Sequence, residues 1–426
     1  MPEQVAGTEF YVYHLAKSHL NQGDWPIILK PNYSIKEERQ FDFEGIQVIE
    51  YPESNVLSKE LITGFVYPSG VSSFKKILER VRPDVIHFHE ISGSNGITIG
   101  HIEAAKSLQI PIFLTMHLAT YSCKTGNLFY KQKTRCDGQI IIERCTKCAL
   151  NKRGVPDIID TFIMKMGRLF FKNQYSALHS GDVRSLFNYS SYIKQLESNL
   201  TVIFEKCEKI FVLSEWYKNV LILNQAQAEK LVLLPKVYPP KVAYSVTKKV
   251  YPNNVIRLVY VGRITKIKGL YTLIKALGLI TKENWELTIF GQIDDQVYYE
   301  KCKRKSESIC DRISWKGIVP HEEIVNTLSE FDLLIFPSEI EEMSPLIIQE
   351  AFAAGLPVLA SNLRSVSDII QHDINGFIFN VGDHLSLKQA LETVLVFPNK
   401  LLDLNLSYKE VSFDDISHIQ KDYYTR

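Results

Sequence analysis

Two α/β domains, each a doubly wound parallel sheet, are what this 426-residue sequence predicts. Three observations carry that expectation. Short β-branched runs alternate with helical stretches almost throughout. The alternation breaks once, in the Pro- and Lys-rich stretch "PKVYPPKVAYSVTKKVYPNN" (235–254), and then restarts. The chain also exceeds the ~100–200 residues of one domain. The expected units are residues 1–240 and 241–412, with 413–426 as a C-terminal helix packing back on the first.

In chain order, the first-domain strands are read from "DVIHFH" (84–89), "PIFLTMH" (111–117), "KIFVLS" (209–214) and "KLVLLP" (230–235). A Lys-, Arg- and Gly-rich insertion (118–155) follows the second of these and carries Cys123, Cys136, Cys145 and Cys148. Their C-x12-C-x8-C-x2-C spacing suits a tetrahedral structural zinc site, with unligated thiols or a transient pair as the alternative. Residues 157–173 place Ile159, Phe162, Ile163, Met166, Leu169 and Phe170 at helical spacing, flanked by Lys165, Arg168 and Lys172. Such a stripe either packs on its own domain, the commoner use, or lies on a membrane surface. After the linker come "IRLVYVG" (256–262), "WELTIFG" (285–291), "DLLIFPS" (332–338) and "PVLAS" (357–361).

Composition excludes several classes. With 45% hydrophobic and 23% charged residues, the chain is of ordinary globular make-up. Lys+Arg (49) nearly cancel Asp+Glu (48), so no overall field attracts nucleic acid or an anionic membrane. No apolar run approaches the ~18–20 residues of a spanning helix. The opening "MPEQVAGTEF" has neither a basic nor an apolar signal region, and seven cysteines fit a reducing compartment, so a cytoplasmic location is expected.

Chemistry concentrates in two segments. In "EEMSPLIIQEAFAAGLPVLAS" (341–361), Glu342 lies on a strand-to-helix loop and Glu350 in the second turn of the helix. Ser344 is the expected N-cap and Pro345 the first helical residue, with Gly355 as the left-handed stop. In "YVGRITKIKGLYTLIKAL" (260–277), a strand runs into Gly262, Arg263, Lys268 and Gly269. Alone, the acidic segment reads equally well as a solvated loop beside a capped core helix, and the basic pair reads better as solvated side chains. Together, cations and carboxylates at strand ends of one sheet point to a diphosphate joined to a polyol.

The pair Gly262-Arg263…Lys268-Gly269 and Glu342…Glu350…Gly355-Leu356-Pro357-Val358 resembles glycosyltransferase family 4, retaining nucleotide-sugar enzymes of the GT-B fold. That resemblance implies two Rossmann-like domains facing a cleft. It implies Arg263 and Lys268 on the donor diphosphate, and Glu350 on the ribose hydroxyls. Glu342, with the backbone from Met343 through Ser344 and Pro345 to Leu346, is implied on the donor sugar and distal phosphate. "FGQ" (290–292) and "SWKGIV" (314–319) correspond to loops around the nucleoside. "AGTE" (6–9) looks like the family's Gly-rich loop, which makes Gly7 a donor contact; Ala6 stands where Gly is usual. His117 aligns with the strand-end histidine beside the sugar, with Leu118 where Asp is common, and a satisfied strand-end histidine is its plainer reading. His87 and His89 are expected to be structural or acceptor-side.

The family's first strand normally precedes that loop, and only five residues precede Ala6, so an upstream segment of about ten residues with an apolar strand is expected. The activity implied is retaining transfer of a hexosyl or related group to a glycan or lipid-linked acceptor, in cell-surface polysaccharide synthesis. Arg263, Lys268 and the helix start oppose the leaving-group charge, which removes the need for a catalytic metal. Peripheral contact with the inner membrane face is the accompanying expectation. A nucleotide-sugar epimerase of the same fold and a non-catalytic nucleotide-sugar-binding subunit are the alternatives.

Overall fold

The computed structural model describes residues 7–425 apart from 59–60, 62–63, 65, 95, 132, 171–182 and 240–254. Ala6, Lys172 and most of the Pro/Lys-rich linker therefore lie outside the described residues. The chain forms two compact units, Met1–Pro235 with Phe413–Arg426, and Lys236–Ser412.

In the first unit, β1 (Ile27–Asn32), β2 (Arg39–Phe43) and β3 (Ile46–Pro52) form a sheet ordered β1-β3-β2. β4 (Ile86–His89), β5 (Ile112–Met116), β8 (Lys209–Val212) and β9 (Leu231–Leu233) form a parallel sheet in that order. Between β5 and β8, the two-residue strands β6 (Phe129–Tyr130) and β7 (Thr134–Arg135) make a small hairpin. The reading by periodicity missed β1 to β3, and β2 corrects the all-parallel expectation because it runs antiparallel to β3. The turn is Glu44-Gly45, where both residues have positive φ (52° and 85°), the backbone a tight hairpin demands. An acidic residue before Gly, flanked by "RQFDF" and "IQVIEYP", was the signal available.

Gly7, expected in a loop, instead heads the helix Gly7–Asn21, which buries Tyr11, Leu15 and Ser18 on one face. The residues before it lie outside the described residues. The C-terminal helix Phe413–Tyr424 packs on this helix, with Ser18 Oγ 2.7 Å from Ser417 Oγ and Lys421 Nζ 2.6 Å from Asp24 Oδ1. The apolar stripe expected from 157 onward is split by the structure. In the helix Asp157–Phe170, Ile163 joins a core with Leu150, Tyr189 and Tyr192, whereas Ile159 (44% exposed) and Phe162 (62%) face solvent. Asp160 is buried instead because Lys131 Nζ reaches it at 3.1 Å. No helix among the described residues is long and apolar enough to cross a membrane.

The second unit holds β10 (Ile256–Val261), β11 (Trp285–Phe290), β12 (Ile313–Trp315), β13 (Leu333–Phe336), β14 (Val358–Ser361) and β15 (Phe377–Phe379). All pair in parallel, in the order β12-β11-β10-β13-β14-β15. Both faces are buried, and the two-residue period shows directly. Leu258, Tyr260, Leu333 and Ile335 enter one apolar cluster, while Val259, Leu334 and Phe336 enter the other. Each such side chain, fully buried, contributes about 1.5–3 kcal/mol.

Candidate functional site

The strand order reverses between β10 and β13, which makes that junction the topological switch point of the second sheet. Loops leaving the carboxyl ends of the two strands must diverge there and leave a crevice. Arg263, Lys268 and Gly269 follow β10, and Glu342 follows β13, so the two segments singled out by sequence meet at this place.

Backbone contact holds them together. Glu339 N donates to Ile267 O at 2.8 Å, and Gly269 sits at φ 72° against Pro337, so close that a Cβ would lie 1.8 Å from the Pro337 carbonyl oxygen. Only glycine meets both demands. A second close approach joins the neighbouring loops, since a Cβ on Gly291 would lie 1.9 Å from Gly262 O. Gly291 N also donates to Gly317 O at 2.9 Å, so the "FGQ" and "SWKGIV" loops continue the sheet beyond its strands.

With the backbones so placed, Lys268 Nζ stands 2.9 Å from Glu342 Oε1, which also accepts Ser338 Oγ at 2.7 Å. Both charged side chains are about one-fifth exposed, at 20% and 19%. This cation, still one-fifth exposed, can exchange its carboxylate for an anionic ligand more cheaply than a fully buried one. Arg263 is more open, at 55% side-chain exposure, and pairs with Asp294 (3.1 Å). Glu350 is nearly buried and its Oε1 lies 3.0 Å from His321 Nε2. Glu341, adjacent to Glu342, is structural: it accepts Arg364 N at 2.9 Å.

The helix start differs from expectation. It runs Leu346–Ala353, with Pro345 in the cap position at φ −70°, ψ 99° and no side-chain cap. Pro345 is extended, so it cannot be the first helical residue. Ser344 is then too early to cap, and its Oγ accepts Gln349 Nε2 at 2.7 Å. Gly355 does make the left-handed stop (φ 65°). Sequence reasoning also missed Asp294 and His321. Neither belongs to a pattern, since each reaches its partner across a loop.

In the first unit, His117 follows β5, half-buried, with Nε2 3.2 Å from His89 Nδ1. Tyr11, one turn after Gly7, packs edge-on against its ring at 4.9 Å. Burial pushes His117 down to about 4, which leaves it neutral near pH 7. His87 is partly buried, with Nε2 2.7 Å from Thr115 Oγ1. Glu90, passed over in "HFHE", is the acidic residue here. At φ 80° and 7% exposure, its Oε2 accepts the backbone N–H of both His117 and Leu118 at 3.0 Å.

Burial raises the Glu90 carboxyl from 4.5 to about 7, against the opposing pull of the His117 N–H. A folded pKa above the unfolded one favours folding below pH 4.5 and loses that contribution as pH rises through about 7. The first unit should therefore lose stability on the order of 3 kcal/mol across that window, and Glu90→Gln should flatten this part of the curve. Denaturant unfolding of both proteins at pH 5 and pH 8 checks it. An unchanged difference between them at the two pH values excludes the assignment.

The four cysteines of the insertion, though far apart in sequence, line one small cavity.

Residues 247–405 match the family model described as glycosyl transferases group 1. The second unit is a group 1 glycosyltransferase domain. The amylovoran biosynthesis glycosyltransferase AmsK of Erwinia amylovora is 25% identical over 231 residues, 52% of this chain and 54% of that protein. The lipopolysaccharide 1,6-galactosyltransferase of Escherichia coli K12 is 27% identical over 175 residues, 39% of this chain and 46% of that one. The matches thus span about half the length of these curated relatives. Anabaena Alr3699/HepE, solved in complex with UDP and glucose, aligns at 13% identity and TM-score 0.58, over 99% of this chain and 92% of that one. Its likeness gives the fold of this group 1 glycosyltransferase domain and its companion unit, which is GT-B.

Proposed function

We propose that the protein is a retaining glycosyltransferase that moves a sugar from a nucleotide-diphosphate sugar to a glycan or lipid-linked acceptor in cell-surface polysaccharide synthesis. The observation that carries the reading is the Lys268–Glu342 pair, 2.9 Å apart at the switch point of the second sheet. Names among the relatives, which include an amylovoran and a lipopolysaccharide glycosyltransferase, support the direction of the pathway.

As the sugar becomes oxocarbenium-like, negative charge grows on the departing diphosphate. Lys268, Arg263 and the backbone N–H groups of Ser344 and Leu346 oppose that charge, and the transfer is proposed to need no added metal. Lys268 exchanges Glu342 for phosphate oxygens, which frees the carboxylate to accept hydroxyls of the donor sugar. Glu350 accepts the ribose hydroxyls in place of His321. His117, neutral, is proposed to hydrogen-bond sugar hydroxyls and not to act as nucleophile, and Gly7 is proposed as a donor contact. The acceptor attacks the face the leaving group departs, and the departing phosphate takes its proton.

Calorimetry with a panel of UDP, GDP and ADP and their sugars tests this, paired with mass-spectrometric detection of hydrolysis. One nucleotide sugar should bind and be slowly hydrolysed. Glu350→Ala should weaken binding of the bare diphosphate, whereas Glu342→Ala should weaken mainly the intact nucleotide sugar, by about tenfold or more each. Binding without hydrolysis or transfer indicates a non-catalytic subunit, and an epimerised sugar indicates an epimerase. Equal losses for both ligands in both variants remove the division of roles.

A further inference from the structure

The insertion after His117 is built from pieces too small to be stable alone. The β6–β7 hairpin has two residues per strand, and such a hairpin is marginal without further support. The helix that follows, Ile142–Lys152, is gripped at its far end by the apolar cluster of Ala149, Leu150, Tyr189 and Tyr192. At its near end the chain presents thiols. Cys123 follows the single turn Ala119–Ser122, Cys136 follows β7, and Cys145 and Cys148 occupy the first and second turns of the helix.

We propose that Cys123, Cys136, Cys145 and Cys148 form a structural zinc site that staples the hairpin to this helix. All four line one cavity of about 20 Å³, room for a single ion. No carboxylate or imidazole lines the cavity, and an all-sulfur set selects zinc among the common divalent ions. Binding releases four protons as four S–Zn bonds form, and leaves a site of net charge −2. Lys124 and Arg144 line the same cavity and oppose that charge. The Lys131 N–H already donates to Cys148 Sγ at 3.2 Å, the outer hydrogen bond a thiolate ligand uses.

All seven cysteines are free thiols here. The four turn toward nearby oxygens, Cys123 to Thr125 Oγ1 at 3.2 Å and Cys148 to Phe129 O at 3.7 Å among them. Among the described residues no three metal-binding side chains yet stand in a metal-holding arrangement. All four residues already line the cavity.

The test is elemental analysis of the full chain, purified under reducing conditions without chelator. It should contain about one zinc per chain. Replacement by cobalt should produce the intense sulfur-to-cobalt charge-transfer absorption of a tetrathiolate. Cys145→Ser and Cys148→Ser should lose both signals, while Cys310→Ser, exposed in the other unit, should keep them. The cobalt titration of the unmodified protein holds whether or not the variants fold. Wild-type protein without zinc and without that absorption overturns the proposal. So does a mass spectrum showing Cys145 disulfide-bonded in fresh protein, or full zinc retention in Cys145→Ser.

Discussion

Lys268→Ala should lower kcat/KM roughly 30- to 1,000-fold with the donor that the binding panel identifies, a loss of about 2–4 kcal/mol in transition-state stabilisation. Lys268 is only 20% exposed and sits at the β10–β13 switch point, where a departing diphosphate has little water to carry its charge. The kcat term should fall with kcat/KM, because the charge it opposes develops during the reaction. The substitution leaves Glu342 its bond from Ser338 Oγ (2.7 Å), so the loop keeps part of its support. Lys268→Arg should recover only part of the rate, since a planar fork does not replace a compact ammonium at one geometry. Steady-state kinetics on the three proteins decides the matter. Wild-type kcat/KM in Lys268→Ala removes Lys268 from the mechanism.

Gly269→Ala should destabilise the second unit by about 2–5 kcal/mol, the sum of left-handed strain and a backbone clash. The φ of 72° supplies the first part, and the 1.8 Å approach to Pro337 O the second. Pro337 O cannot simply move aside, because the next two residues, Ser338 and Glu339, anchor the carboxylate loop to Ile267 O. The transition of this unit should therefore drop by on the order of ten degrees. Gly355→Ala is the internal comparison. Its φ is also positive, at 65°, yet nothing lies within 4 Å of the added Cβ, so it should lose only the strain part, about 1–2 kcal/mol. Calorimetry of both variants checks the ranking. Equal stability of Gly269→Ala and wild type contradicts the close approach.

The same two loops show where legibility in the sequence stops. Strands such as "IRLVYVG" and "DLLIFPS" were readable because a sheet buried on both faces needs uninterrupted apolar runs. β1 to β3 were not, because β2 is short, exposed and half polar, and the buried β3 has Gln47 and Glu50 interrupting its apolar run. Ser344-Pro345 looked like a cap and first turn, and the extended ψ of Pro345 delayed the helix by one residue. Glu342 was legible through its spacing from Glu350, whereas Glu90 was not: its function rests on a left-handed backbone and two N–H groups 27 and 28 residues away.

What the sequence determined by itself was the buried strands of the second sheet and the chemistry at their ends: apolar period, glycine stops, and a local excess of cations and carboxylates. All of these act between near neighbours in the chain. Only the tertiary structure decided the partners. It set Lys268 on Glu342, Arg263 on Asp294 and Glu350 on His321, and it gathered four separated cysteines around one cavity. Those pairings depend on strand order and on how closely two backbones approach, and both are settled by packing a whole sheet at once.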